Sequence, residues 1–132
     1  MYMLDTNICI YVINQRDEAL RERFEEHAAE ICISSITCAE LWYGVSNSGR
    51  VEENRRMLEG FLHDLAVLPF GVEAAGHYGE IRHALRKRGR PIGANDLFIA
   101  AHARSLEAIL VTNDQGEFGR VPNLRVESWS RS

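Results

Sequence analysis

The chain has 132 residues, of which 45% are hydrophobic and 26% charged, and a formal net charge of −4. That size and composition suit one globular domain, residues 1–132, able to bury roughly two-thirds of its unfolded surface. The acidic balance argues against a generic nucleic-acid coat, and no run approaches the ~20 apolar residues of a membrane span.

Met1-Tyr2-Met3-Leu4 meets Asp5 at once, without a basic start, so no signal peptide is expected and a cytoplasmic location is. Tyr2–Leu4 reads as a short strand ending at Asp5-Thr6-Asn7. A helix over Ala19–Ala29 carries Leu20 and Phe24 on one side. The apolar run Ile31–Ser34 reads as the second strand. It leads through Ser35-Ile36-Thr37-Cys38 to a more apolar helix, Ala39–Val45, with Leu41, Trp42 and Tyr43 together. Glu52–Leu65 places Met57, Leu58, Phe61, Leu62 and Leu65 at helical intervals. Ala66–Pro69 is the third strand, and Val72–Arg88 and Leu97–Ser105 are helices. Ile109–Thr112 is the fourth strand, followed by Asn113, Asp114 and a short final helix, and Leu124–Glu127 is a weaker fifth. Strands this short and unalternating are expected to be covered on both faces. Their alternation with helices predicts an α/β/α sandwich around a central, mainly parallel sheet of four to five strands, joined by right-handed crossovers.

Acids mark the junctions of this pattern. Asp5 follows the first strand, Glu40 follows the second, Asp96 stands in the loop-to-helix string Gly93-Ala94-Asn95-Asp96, and Asp114 follows the fourth strand. In an open parallel sheet such turns gather along the edge where ligands bind. Each acid also has a purely structural use. Asp5 and Asp96 suit helix N-caps, Thr37-Cys38-Ala39-Glu40 matches a capping box, and Asp114-Gln115-Gly116-Glu117 would do likewise. Caps, however, accept Ser, Thr or Asn equally well, and Thr6, Asn7, Asn95, Thr112 and Asn113 already sit beside these acids. The two remaining aspartates, Asp17 and Asp64, lie in polar helical context and read as solvated. Crowded carboxylates raise one another's pKa unless a cation stabilises their charge, and an all-oxygen set selects Mg²⁺, with Mn²⁺ a substitute.

Other chemistries are poorly served. Cys9, Cys32 and Cys38 lack a close pair and read as free buried thiols. His27, His63, His77, His83 and His102 have no zinc spacing, and no nucleophile elbow, Walker loop or dinucleotide fingerprint is present. A phosphatase of the aspartate type needs a second Asp where this chain has Asn7. A receiver domain needs a late-strand lysine, and the only lysine is Lys87, in a helical stretch. Arginine supplies 14 of the 15 basic residues, and Arg82, Arg86, Lys87, Arg88 and Arg90 crowd together. The guanidinium fork suits phosphate oxygens, so Arg82, Arg86 and Arg88 are candidate contacts to a nucleic-acid backbone. Bases in that place would equally complement a helix C-terminus.

Four strings in order carry a family likeness. They are Leu4-Asp5-Thr6-Asn7 with Ile8-Cys9-Ile10, then Ile33-Ser34-Ser35-Ile36-Thr37 with Glu40-Leu41 and Tyr43-Gly44. Gly89-Arg90-Pro91-Ile92-Gly93 follows, leading to Asp96, Ile99-Ala100 and His102-Ala103, and last Val111-Thr112-Asn113 with Glu117-Phe118. Nearly end to end, the chain resembles the PIN-domain ribonucleases and, within them, the VapC toxins of type II toxin–antitoxin pairs. The resemblance implies a PIN-like fold and Mg²⁺-dependent endoribonuclease activity leaving 3′-hydroxyl and 5′-phosphate ends. It implies an acidic triad at Asp5, Glu40 and Asp96, with Asp5 and Asp96 the principal metal ligands. Asp114 is taken as the fourth acid because it follows Thr112-Asn113 directly. Many relatives carry Asn there, which makes Glu117 the alternative. Ala94-Asn95 also departs from the family, whose close members often have proline first. The resemblance further implies a homodimer and a VapB antitoxin whose C-terminal segment fills the acidic site. Likeness to the enterobacterial VapC type makes initiator tRNA, cut in its anticodon loop, the expected substrate. The rival outside enzymology is a PIN-like scaffold that binds RNA or protein without cutting, and the intact acids argue against it.

Overall fold

A computed structural model describes residues 1–130 of the chain. Five strands, β1 (Tyr2–Leu4), β2 (Ile31–Ser34), β3 (Ala66–Leu68), β4 (Ile109–Val111) and β5 (Arg125–Glu127), form one sheet in the order β3-β2-β1-β4-β5. Every neighbouring pair is parallel. The helices are α1 (Thr6–Asn14), α2 (Glu18–Glu26), α3 (Ser35–Ser46), α4 (Val51–His63), α5 (Val72–Lys87), α6 (Ala94–Ser105) and α7 (Gln115–Phe118), with a 3₁₀ turn at Ala28–Glu30. None of them is long and apolar enough to cross a membrane.

The two-residue period of a strand sorts the core into two layers. Met3, Cys32 and Leu110 pack on one face with Ile81, Leu85, Ile99 and Phe118 from α5, α6 and α7. Leu4, Ile31, Ile33 and Val111 pack on the other with Ile8, Leu20, Leu41 and Leu58 from α1 to α4. Both faces of each central strand are therefore buried, which is why the strands read as continuous apolar runs. Cys9 and Cys32 lie in these layers as free thiols, and Cys38 is half-buried.

The predicted strands and most helices stand where the pattern put them, with small shifts at their ends. Pro69 lies outside β3, as its missing N–H requires of a ladder position. The largest shift is in α3, which starts four residues ahead of the predicted Ala39. The Ser34 hydroxyl accepts from the Ile36 N–H at 3.1 Å and caps the helix there. Thr37 is thus inside the first turn, and the expected Thr37–Glu40 capping box does not form. Asp17 is not the solvated residue the sequence suggested: its carboxylate accepts from the Leu20 N–H at 3.1 Å and caps α2.

Candidate active site

In the order β3-β2-β1-β4-β5 the chain turns to opposite sides after β1, so the crevice of an open α/β sheet lies beyond the carboxyl ends of β1 and β4. Asp5 is the first residue past β1. Its N–H donates to the Val111 carbonyl at 3.1 Å, which ties it to the end of β4. Its carboxylate accepts from the Ile8 N–H at 2.9 Å, capping α1, and it is only 5% exposed. The expected cap and the expected site acid are one residue.

Glu40 arrives from the second turn of α3 rather than from a cap. Its two oxygens are bracketed: the Thr6 hydroxyl of α1 donates to one, and the Asn95 amide of α6 donates to the other at 2.9 Å. Three helices therefore meet at this carboxylate.

Asp96 is also not a cap. Gly93 opens α6 without a side-chain bond, and Asp96 lies in the first turn. Its partner is Glu117 of α7, whose other bond accepts the Gly93 N–H at 2.7 Å. Asp114 does cap α7, accepting the Glu117 N–H at 3.0 Å, but the reciprocal half of the expected box is missing because Glu117 points to Gly93 and Asp96 instead. Thr112, fully buried, accepts the Asp114 N–H at 2.9 Å and hydrogen-bonds to Asp5.

Electrostatics show that these acids share one space. Burial, together with the charges of Asp114 and Glu40, pushes the Asp5 carboxyl above its ordinary range, against the lowering effect of the bonds from Thr112 and Ile8. Asp96 is pushed up to about 7, by burial first and then by the charges of Glu117, Asp5 and Glu40. Raised this far, the Asp96 carboxyl itself retains a proton up to about neutral pH. The structure thus brings Asp5, Glu40, Asp96 and Asp114 together and adds Glu117, which the sequence offered only as an alternative to Asp114. Asn95 was noted only as a possible cap, and its role at Glu40 had no sequence signal, since the two are 55 positions apart.

The donor set is all carboxylate oxygen, the chemistry that suits Mg²⁺ or Mn²⁺. Among the described residues no three His, Cys, Asp or Glu side chains already stand as a ready ligand set. The acids are engaged with amides, hydroxyls and one another. Crowding that raises the Asp5 and Asp96 pKa values is nevertheless what a divalent cation would relieve, and on that ground the residues fit it.

The arginines lie apart from the acids but next door. Arg82 and Arg86 line a depression of about 400 Å³ with Tyr78, Leu85, Pro91, Ile92, Ala94 and Leu97. Arg82 donates to the Tyr78 hydroxyl at 3.1 Å, with its guanidinium 5.9 Å from the ring centre. Arg88 closes the last turn of α5, its N–H donating to the Ala84 carbonyl, and is not in the lining of that depression.

The PIN domain family matches residues 2–124. The tRNA(fMet)-specific endonuclease VapC of Shigella flexneri is 47% identical over 129 residues, which cover 98% of each chain. Ribonuclease VapC2 of Haemophilus influenzae is 49% identical over 128 residues, 97% of each. Among solved structures, VapBC2 of Rickettsia felis bound to a DNA fragment from its promoter contains a chain that superposes with a TM-score of 0.93. That chain is 46% identical, with 98% of both chains covered. DNA-bound VapBC of Salmonella typhimurium gives 0.93 at 45% identity, with 97% covered. With the sheet order, the acids at the β1–β4 crevice and these likenesses in agreement, the chain belongs to the PIN-domain family, in its VapC branch.

Proposed function

We propose that this protein is the toxin endoribonuclease of a type II toxin–antitoxin pair and hydrolyses RNA phosphodiester bonds with Mg²⁺. The observation that carries the reading is the convergence of Asp5, Glu40, Asp96 and Glu117 at the crevice of the sheet, crowded enough that burial and the other three charges push the Asp96 carboxyl up to about 7. Asp5 and Asp96 would hold the ion directly, with Glu40 and Asp114 acting through water or at a second ion, and Mn²⁺ would serve on the same donors. When bound, such an ion supplies an activated water and offsets negative charge in the transition state. The chain's own work is positional. Asp5 is fixed by the amide of Ile8 and by Thr112, and Glu40 by Thr6 and Asn95. Asp96, protonated up to about neutral pH, would have to lose that proton to serve as a ligand. Arg82, Arg86 and Arg88 steer the RNA backbone, and the products carry 3′-hydroxyl and 5′-phosphate ends.

The names of the relatives support the finer points. The Shigella enzyme is tRNA(fMet)-specific, and initiator tRNA cut in the anticodon loop is the substrate we propose here. The Rickettsia and Salmonella structures are VapBC complexes, so a VapB antitoxin, a homodimer and a larger complex with the antitoxin are proposed, acting in the cytoplasm. The test is end-mapping of cellular RNA after brief induction, with and without Asp5→Asn, joined to calorimetry with Mg²⁺. A single major cut that Asp5→Asn abolishes, with stoichiometric cation uptake, is the expected result. No cut and no uptake would leave only an RNA- or protein-binding scaffold.

A further inference from the structure

A second depression, of about 540 Å³, is lined by Ile36, Ala39, Tyr43, Asn95 and Phe98 together with Thr6 and Glu40. Thr6 and Glu40 are also members of the acid site, so the depression is continuous with it. Its floor is rigid. Phe98 stacks on Tyr78 with centroids 4.4 Å apart and planes at 16°, and Phe70 meets it edge-on at 5.4 Å and 85°. Its rim is open: Tyr43 is 69% exposed although Leu41 and Val45 on the same helix are buried. One residue, Asn95, gives its amide N–H to Glu40 and keeps its carbonyl oxygen for an incoming donor. The Tyr78 ring under Phe98 belongs in turn to the wall of the arginine depression, so the two hollows share one aromatic partition.

An exposed aromatic face, an apolar floor and a polar edge, beside a site for cutting a phosphodiester, fit an unpaired nucleobase. Such bases are held by stacking on aromatic rings and by hydrogen bonds to their edges. We infer that this depression is a base-binding subsite: one unpaired base next to the scissile phosphate stacks on Tyr43 and presents its edge to Asn95. The inference rests on the ribonuclease reading above and deepens it, making Tyr43 a residue that selects the cleavage position. A protein partner is the less favoured occupant, because Thr6, Glu40 and Asn95 interrupt the apolar lining.

The test uses an initiator-tRNA anticodon stem-loop in which single abasic nucleotides replace each base flanking the cut in turn. The unmodified protein should lose roughly tenfold in cleavage rate at one position, the scale of a single base–aromatic stack. Tyr43→Ala should cut the intact RNA roughly tenfold more slowly and be indifferent to the abasic site there, while Tyr43→Phe behaves as the unmodified protein. Tyr43 is exposed, so truncation leaves the core untouched. An abasic penalty that persists in full in Tyr43→Ala overturns the subsite while the nuclease stands. So does a Tyr43→Ala protein that cuts at the normal rate but loses its antitoxin or its dimer, for the face is then a protein contact. If the unmodified protein cuts no RNA, the ribonuclease reading fails first and this one with it.

Discussion

Asp96 is expected to make a pH-dependent contribution to the stability of the metal-free protein. Its folded-state pKa, about 7, lies above the ordinary 3.8, so the folded chain holds a proton that the unfolded chain releases. The sign follows directly: this contribution to stability is complete below pH ~4 and is lost as pH rises through ~7. Thermal melts in chelator should therefore fall between those values, and Asp96→Asn should flatten the decline. Mg²⁺ should restore stability chiefly above pH 7, with about half a proton released per ion taken up at pH 7 and about one at pH 6, readable by calorimetry in buffers of different ionisation enthalpy. A melting temperature that is level in chelator from pH 4 to 8 would count against the raised Asp96 pKa. Sequence spacing found these acids because strand ends announce themselves, but it could not rank their duties. Asp96 was open to reading as a cap, yet Gly93 opens the helix and leaves Asp96 free for Glu117. Asp17 read as idle and is a cap.

At the scale of elements, the bracket on Glu40 joins α1, α3 and α6. Hydrogen bonds to a charged group contribute about 1.5–3 kcal/mol each, so removing one donor should release the carboxylate without unfolding the chain. Thr6→Val is expected to lower kcat about tenfold or more while the KM for RNA changes little, whereas Asn95→Ala, which also removes the base contact, is expected to lower kcat and raise KM together. A change confined to KM in Thr6→Val would assign that side chain to binding. On α5, Arg86→Ala with Arg88→Ala should weaken RNA binding and reduce the log–log salt slope by about 1.4 units, the share of two phosphate contacts on a single strand. An unchanged slope would return both residues to the helix C-terminus, where Arg88 already sits. Element boundaries followed from sequence wherever one strong signal acted alone, as with β1 and β2. The start of α3 did not, since the spacing pointed to a Thr37–Glu40 box while the cap that forms is Ser34. The position was decided by the burial of Thr37 and Leu41 against the sheet, a tertiary effect that local spacing does not carry.

For the molecule as a whole, the two packed layers and the crevice are one construction. Leu110, fully buried in β4, lies within a few residues of Thr112 and Asp114. Leu110→Ala should cost about 2–5 kcal/mol in denaturant melts, and cleavage should fall further than stability alone explains because the end of β4 carries half of the crevice. Equal losses would separate the core from the site. The alternation of strands and helices made the parallel sandwich readable, whereas strand order was beyond it: nothing local says that β1 lies between β2 and β4.

That central place has a temporal meaning during translation. Although β1 precedes the other four strands in the sequence, it is the middle of the finished sheet, and its partner on one side, β4, begins only at Ile109. Until that partner is synthesised, Asp5 has no Val111 carbonyl to anchor it and Asp96 has no Glu117 to meet. A chain interrupted before Ile109 is therefore expected to carry Asp5 and Asp96 without the partners that bring the acids together.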